Sequence, residues 1–325
     1  MQTNEIVAAA NKSFIAMKNP YGSIEKVFPR ILEKFTADKR YRYLGVKNKI
    51  QVSRELVKTL ELNGDYLLHT IDKASMGGRA IDVTMVNPIS GRPMTGSSSG
   101  TAINVLLGIN DLGVGTDGGG SVLAPAMALN LFGFISNLID EDYLQSFSST
   151  STDGISFSPS IGFIARTMKE MLHAINSVLN LENSERIQNP IVAKSEKMLD
   201  IYGSRDPLIN YLSNVLPTCD FLVSEEGPID AVGFGDTVFG HLGQQAREIQ
   251  RASNKGLIRV VNMVNATAIV VPKQEFACAH VLICESKRAK INAMLQYAQK
   301  ISLPQDELLK KYFQKIENYF PDEFI

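Results

Sequence analysis

The chain has 325 residues, 44% of them hydrophobic, and its 33 basic and 34 acidic side chains leave a formal net charge of −1. This balance excludes an extended basic nucleic-acid face, and no apolar run approaches the roughly 20 residues that span a bilayer. The N-terminal residues lack the pattern of a signal peptide, and the three cysteines follow no metal or redox spacing. We therefore expect a cytoplasmic protein with no nucleic-acid or membrane partner.

Apolar periodicity predicts helices and strands that alternate along the chain. Helices are predicted at residues 1–62, 101–107, 163–179 and 285–301, with a charged helical tail at 301–325. Strands are predicted at residues 66–71, 112–114, 266–271 and 279–284, whereas residues 77–100 have the composition of a loop. This alternation indicates an α/β fold, and since no linker or repeat interrupts it, we predict one domain over residues 1–325.

Two clusters of glycine and serine are the most distinctive feature of the sequence. Residues 96–100 read Gly-Ser-Ser-Ser-Gly, and residues 115–121, the glycine loop, read Gly-Thr-Asp-Gly-Gly-Gly-Ser. Consecutive glycines let successive backbone N–H groups point into one concavity, where they can stabilise the charge that develops on a carbonyl oxygen during acyl transfer. The glycines have the spacing of neither a P-loop nor a dinucleotide fingerprint. Ser121, at the end of the loop, is therefore the predicted nucleophile.

A serine nucleophile needs a base to remove its proton. The four histidines lie in no recognisable catalytic context: His69, His173, His241 and His280. A lysine can act instead if burial keeps it neutral, and Lys73 directly follows the apolar run at residues 66–71. The sequence therefore favours Lys73 as the base, with activity rising through an alkaline pH range.

Taken together, these segments closely resemble the signature of the amidase signature family. The family pattern reads Asn-Pro, then Gly-Ser-Ser-Gly-Gly, then Gly-Thr-Asp-x-Gly-Gly-Ser, and it is matched here at residues 87–88, 96–100 and 115–121. Residues 161–167 and 261–284 are similar to two further family segments. The resemblance covers residues 64–300, between a helical segment at 1–62 and the tail at 301–325. It implies a central mixed β-sheet covered by helices on both faces.

The resemblance also implies a serine–serine–lysine triad that hydrolyses amides. In this chain the triad would be Ser121 as nucleophile, Ser97 on a cis peptide bond as the bridge, and Lys73 as the base. The remaining site residues would be the backbone N–H groups of an oxyanion hole at Gly118, Gly119, Gly120 and Ser121, and the loop supports Thr116, Asp117 and Ser98. We expect an acyl-enzyme mechanism without metal or cofactor, acting on a small-molecule or peptide amide. The protein could form a homodimer, and the sequence does not decide its oligomeric state.

The sequence departs from the family pattern at several points, among them Ser99 in place of a glycine, and these departures leave alternatives. The spacing from Lys73 to Ser97 is shorter than usual, and Leu123 stands where the family has an arginine that holds Asp117. A catalytically impaired homologue, acting as a binding or assembly subunit such as part of an amidotransferase, is one alternative. The other is an α/β-hydrolase with Ser98 as nucleophile, since residues 96–100 also fit Gly-x-Ser-x-Gly, followed in order by Asp220 and His241 or His280. That motif needs a preceding strand, and residues 87–95 have loop composition.

Overall fold

The computed structural model describes residues 2–28, 41–151, 153–181, 184–195 and 199–315. The helices are α1 (Gln2–Lys18), α2 (Arg54–Asn63), α3 (Ser99–Leu106), α4 (Leu123–Ala128), α5 (Glu141–Leu144), α6 (Met168–Leu179), α7 (Arg205–Val215), α8 (Thr237–Gly240), α9 (Gln244–Arg251), α10 (Arg288–Ile301) and α11 (Glu307–Phe313). The strands are β1 (Ile24–Val27), β2 (Arg42–Lys47), β3 (Tyr66–Asp72), β4 (Ile81–Val86), β5 (Pro93–Thr95), β6 (Leu112–Asp117), β7 (Phe132–Ser136), β8 (Ser149–Thr150), β9 (Ser156–Phe157), β10 (Ser160–Ala165), β11 (Val192–Lys194), β12 (Phe221–Glu226), β13 (Ala266–Pro272) and β14 (Ala279–Glu285).

Ten strands form one mixed sheet in the order β1-β3-β2-β6-β10-β7-β13-β14-β12-β11. The pairs β2–β3, β2–β6 and β11–β12 are parallel, and the other neighbours are antiparallel. Two short hairpins, β4–β5 and β8–β9, lie apart from this sheet. Because β2 and β6 are parallel neighbours, their carboxyl ends meet at the same edge of the sheet.

Apolar side chains of the central strands alternate between two hydrophobic layers. In β13, Ala268 and Val270 join the layer that contains α3, α4 and α7, while Ile269 and Val271 join the layer that contains α2, α6 and α10. Successive side chains of a strand point to opposite faces, so both faces of the sheet are buried under helices. The predicted α/β fold, with a central mixed sheet covered on both faces, is confirmed.

Two glycines of β6 allow α3 to pack directly against the strand. A Cβ atom at Gly113 would lie 2.4 Å from the Cγ2 atom of Thr101, and one at Gly115 would lie 2.7 Å from the Oγ atom of Ser98. Any larger residue would push the helix away. This close approach brings the start of α3, at residues 97–99, beside the strand that leads into the glycine loop.

Several predicted elements differ from the structure. Residues 1–62 are not helical throughout, because they contain β1 and β2, and residues 29–40 lie outside the described part. Residues 163–165 belong to β10, and the predicted helix begins only at Met168, where the Thr167 side chain accepts a hydrogen bond from the Glu170 N–H. Residues 77–100 contain β4 and β5. Within the predicted tail, α11 is described and residues 316–325 are not. No described helix combines the length and apolar character needed to cross a membrane.

Candidate active site

Lys47 is the basic residue that the fold brings to the signature segments. It is the last residue of β2, at the edge where β6 enters the glycine loop. Its Nζ atom donates to the Oγ atom of Ser97 at 2.8 Å and to the backbone carbonyl of Thr116 at 3.0 Å. Parallel pairing of β2 and β6 thus joins a lysine, a signature serine and the glycine loop in one place.

The environment of Lys47 favours its neutral form. The side chain is buried, with 2% of its surface exposed. Burial lowers the pKa of Lys47 from 10.5 to about 7, against the attraction of the Asp117 carboxylate. Removing a charge from water is costly, so a buried amine gives up its proton more readily than an exposed one. At neutral pH, a substantial fraction of Lys47 can therefore accept a proton.

Lys73, the lysine predicted from sequence, does not lie in this cluster. It follows β3, and its side chain is exposed. Only its backbone approaches the signature segments: its N–H donates to the Ser23 carbonyl, and its own carbonyl accepts from the Gly100 N–H. The structure therefore does not bring the Lys73 side chain to Ser97 and Ser121, and the lysine beside Ser97 is Lys47. Because residues 1–62 were interpreted as helical, the apolar run Tyr43–Val46 was not recognised as a strand followed directly by a lysine, Lys47.

The serines of the two signature segments meet through the backbone. The Gly96–Ser97 peptide bond is cis, as predicted. The N–H of Ser98 donates to the carbonyl of Ser121 at 3.0 Å, which ties the start of α3 to the end of the glycine loop. Ser97 is buried, whereas Ser121 is half-buried. Ser97 therefore lies inside the protein, next to the lysine, and Ser121 lies where a substrate can reach it.

Asp117 is held by the glycine loop itself. Its Oδ1 atom accepts from the N–H groups of Gly119 and Gly120 at 3.1 and 2.7 Å, and its Oδ2 atom accepts from those of Val122 and Leu123 at 2.6 and 3.2 Å. Burial raises the pKa of Asp117, and the hydrogen bonds from Val122, Gly120 and Leu123 act in the opposite direction. The carboxylate thus has partners without the family arginine, and one of them is the N–H of Leu123.

Only some of the N–H groups that were predicted to form an oxyanion hole are free in this arrangement. Those of Gly119 and Gly120 point to Asp117 and are not available to a substrate. Within the described part of the chain, the N–H groups of Gly118 and Ser121 have no acceptor. Phe157 packs over Gly118, where an added Cβ atom would lie 2.3 Å from the Cε2 atom of the ring. In this structure the free donors are therefore at Gly118 and Ser121.

The other predicted supports have structural roles. Thr116 contributes the backbone carbonyl that accepts from Lys47. The Ser98 side chain is fully buried, and its hydroxyl oxygen has no hydrogen-bond partner among the described residues. Without a base beside it, Ser98 cannot be activated as a nucleophile. The hydrolase interpretation therefore fails here, although β5 does supply a short strand before residue 96.

A cleft of about 370 Å³ opens beside the glycine loop. Gly119 forms part of its wall, together with Ala80, Asp153 and segments around residues 202–205, 235–237 and 247–259. The cleft thus reaches the glycine loop at Gly119, whereas Ser121, Ser97 and Lys47 are not among its lining residues. No three metal-ligating side chains gather together in the described residues.

Comparisons with known proteins support this fold. Residues 80–207 match the family model Amidase. An amidase family protein from Bacillus anthracis superposes with a TM-score of 0.55 at 13% identity, covering 93% of this chain and 89% of that one. Allophanate hydrolase from Kluyveromyces lactis gives 0.63 at 11% identity, with coverages of 94% and 71%. A bacterial aryl acylamidase of the amidase signature family gives 0.60 at 13% identity, with coverages of 92% and 93%. No curated protein matches the chain in sequence.

Proposed function

We propose that this chain, a divergent member of the amidase signature family, hydrolyses carboxylic amides through an acyl-enzyme on Ser121, with Ser97 and Lys47 relaying the proton. The observation that carries the proposal is the 2.8 Å contact between the buried Lys47 amine and the Ser97 hydroxyl. The family match over residues 80–207 supports amide hydrolysis in general. We place the substrate among small-molecule or peptide amides and the protein in the cytoplasm.

In the first step, the neutral amine of Lys47 accepts the proton of the Ser97 hydroxyl, and Ser97 takes the proton of Ser121. The Ser121 oxygen attacks the amide carbon, and the carbonyl oxygen becomes an oxyanion. The N–H groups of Gly118 and Ser121 stabilise this charge. In well-studied enzymes, removing one such donor slows the reaction by roughly 10²–10³-fold.

In the second step, the tetrahedral intermediate collapses and the C–N bond breaks. The proton held by Lys47 returns through Ser97 to the departing nitrogen, which leaves as ammonia or an amine. A water molecule then enters, and the same relay removes its proton while it attacks the ester carbonyl. The acid product leaves, and Ser121 regains its proton.

The lysine is suited to both directions of this transfer. A general base works best when its pKa lies near the working pH, because it must both accept and return the proton. The pKa of Lys47, at about 7, meets this condition. While protonated, Lys47 keeps the Thr116 carbonyl as an acceptor and is attracted by the Asp117 carboxylate.

The test is active-site labelling of the purified chain with a serine-directed fluorophosphonate, read out by intact mass and peptide mapping. We expect one label on Ser121, which is lost in Ser121→Ala and retained in the matched control Ser99→Ala. The same two variants are assayed for ammonia release from a panel of primary amides. Label on Ser98 would overturn the proposal in favour of the hydrolase motif. No label and no turnover in folded protein would favour a binding or assembly subunit.

A further inference from the structure

The cleft beside the glycine loop is strongly basic. Five of its lining side chains are cationic and one is anionic; the cations are Arg205, Arg247, Arg251, Lys255 and Arg259, and the anion is Asp153. The whole chain has a net charge of −1, so this concentration of positive charge is local. A cleft lined by one sign of charge attracts ligands of the opposite sign.

Three of the five cations already have carboxylate partners. Arg205 binds both oxygens of Asp153, at 2.9 and 3.1 Å. Arg251 pairs with Asp200 at 2.5 Å, and the buried Lys255 pairs with Asp230 at 2.8 Å. These pairs shape the wall, and their charges are compensated within the protein.

Arg247 and Arg259 have no ion-pair partner among the described residues. The Arg247 side chain is exposed at the mouth of the cleft. Arg259 is half-buried and donates only to the backbone carbonyls of Gly256, Ile201 and Gly203. Burial, and then the charge of Arg205, lower the pKa of Arg259 to about 10, while the carboxylates of Glu226, Asp153 and Asp200 act in the opposite direction. With a pKa of about 10, Arg259 remains a cation at neutral pH, and no carboxylate among the described residues forms an ion pair with it.

The basic cleft is continuous with the glycine loop. Gly119 lines it, and a Cβ atom on Gly119 would lie 3.6 Å from the backbone oxygen of Arg259. Gly119 is two residues from Ser121, so their Cα atoms are at most about 8 Å apart. The basic cleft therefore reaches the glycine loop at a point two residues before Ser121.

We infer that this cleft binds a carboxylate and that the substrates are amides bearing a carboxylate close to the scissile bond. The exposed guanidinium group of Arg247 matches the geometry of a carboxylate. Arg259 offers its Nη1 atom, because its Nε and Nη2 atoms already donate to backbone carbonyls. The substrate class rests on the proposed amidase function. Carboxylate binding by the cleft does not, and it can be tested without measuring turnover.

The kinetic test compares amides that differ only in charge. Succinamate and N-acetylglycine carry the carboxylate on the acyl and the amine side, and succinamide and N-acetylglycinamide are their neutral counterparts. In the wild type we expect kcat/KM to be at least about a hundredfold higher for one of the charged amides than for its neutral counterpart. Arg247→Gln and Arg259→Gln should each lower this ratio about tenfold or more, as expected for loss of a hydrogen bond to a charged group. Arg186→Gln, an arginine that lines a different cleft, should leave it unchanged.

A binding test separates failure of this inference from failure of the proposed function. Succinate should raise the melting temperature of the wild type and of Ser121→Ala, and succinamide should not; Arg247→Gln should weaken the effect of succinate. Fluorophosphonate labelling reports on the amidase independently of the cleft. If succinate raises the melting temperature but the fluorophosphonate does not label Ser121, the carboxylate site is supported and the amidase function is rejected. Labelling with equal activity on charged and neutral amides, and no stabilisation by succinate, would overturn the inference alone.

Discussion

The Nζ atom of Lys47 lies 2.8 Å from the Oγ atom of Ser97, although 50 positions separate the two residues along the chain. Their contact depends on β2 and β6 being parallel neighbours, because only then do the end of β2 and the glycine loop share an edge. The cis peptide bond before Ser97 and the start of α3 complete the arrangement. A buried lysine, a serine of the first signature segment and the glycine loop are thus brought together from three separate segments.

Replacing Lys47 should remove the base. We expect Lys47→Ala to lower kcat/KM by about 10²–10⁴-fold, the usual contribution of general base catalysis. Lys73→Ala is the matched control and should stay within about twofold of the wild type, because that side chain is exposed and outside the cluster. Both are measured by amide hydrolysis on variants with native circular dichroism spectra. A large loss in Lys73→Ala with an active Lys47→Ala would contradict the assignment.

The pH dependence of activity should report the pKa of Lys47. Only the neutral amine accepts a proton, and the pKa of Lys47 is about 7. Well below pH 7, kcat/KM should therefore rise about tenfold per pH unit, and it should be level above about pH 8. The measurement is kcat/KM from pH 5 to 10 with an uncharged amide. A rate that still rises above pH 9 would indicate a base with an ordinary lysine pKa, such as an exposed lysine.

The same pKa should appear in the stability of the fold. The pKa of Lys47 is lowered from 10.5 to about 7 on folding. Between these values the unfolded chain holds one proton more than the folded chain, so the unfolding free energy gains about 1.4 kcal/mol per pH unit from this group as pH rises. Below pH 7 both states are protonated and the slope from Lys47 vanishes.

Lys47→Met lacks this group and provides the reference. We expect the unfolding free energy of the wild type minus that of Lys47→Met to increase from pH 7 to pH 9. The two proteins are compared by urea unfolding at pH 7, 8 and 9 under otherwise identical conditions. A difference that does not change with pH would show that Lys47 keeps its proton in the folded state.

Asp117→Asn should destabilise the glycine loop. The Asp117 carboxylate accepts four N–H groups on two oxygens. An amide offers one oxygen and turns its own N–H groups toward the other two donors, leaving at least two buried donors unpaired. At about 1–3 kcal/mol for each unpaired group, the unfolding free energy should fall by roughly 3 kcal/mol or more. The change in unfolding free energy is measured by thermal unfolding. The control is Asp142→Asn, at an exposed position, and its stability should match that of the wild type.

The two serine-containing segments could be singled out from sequence because their geometry depends on local backbone. A run of glycines ending in a serine forms its concavity within a few residues, and the serine segment at 96–100 is equally local. The strands at 266–271 and 279–284 were also predictable, since each is a short run of apolar residues bounded by turn-forming or charged residues. By contrast, the apolar alternation across residues 163–179 concealed a boundary between β10 and α6, because a short buried strand and an amphipathic helix share many apolar positions.

The amino-acid sequence by itself determined the α/β class, the two glycine–serine segments and Ser121 as the candidate nucleophile, because each depends on residues close together in the chain. Tertiary structure alone decided which lysine faces Ser97, which loop N–H groups remain free, and which arginines line the cleft. These depend on strand order and on burial. Lys47 and Lys73 both follow apolar runs, but β2 is the neighbour of β6 and β3 is one strand further away. The deeper position buries the amine of Lys47 and lowers its pKa, whereas Lys73 remains in water.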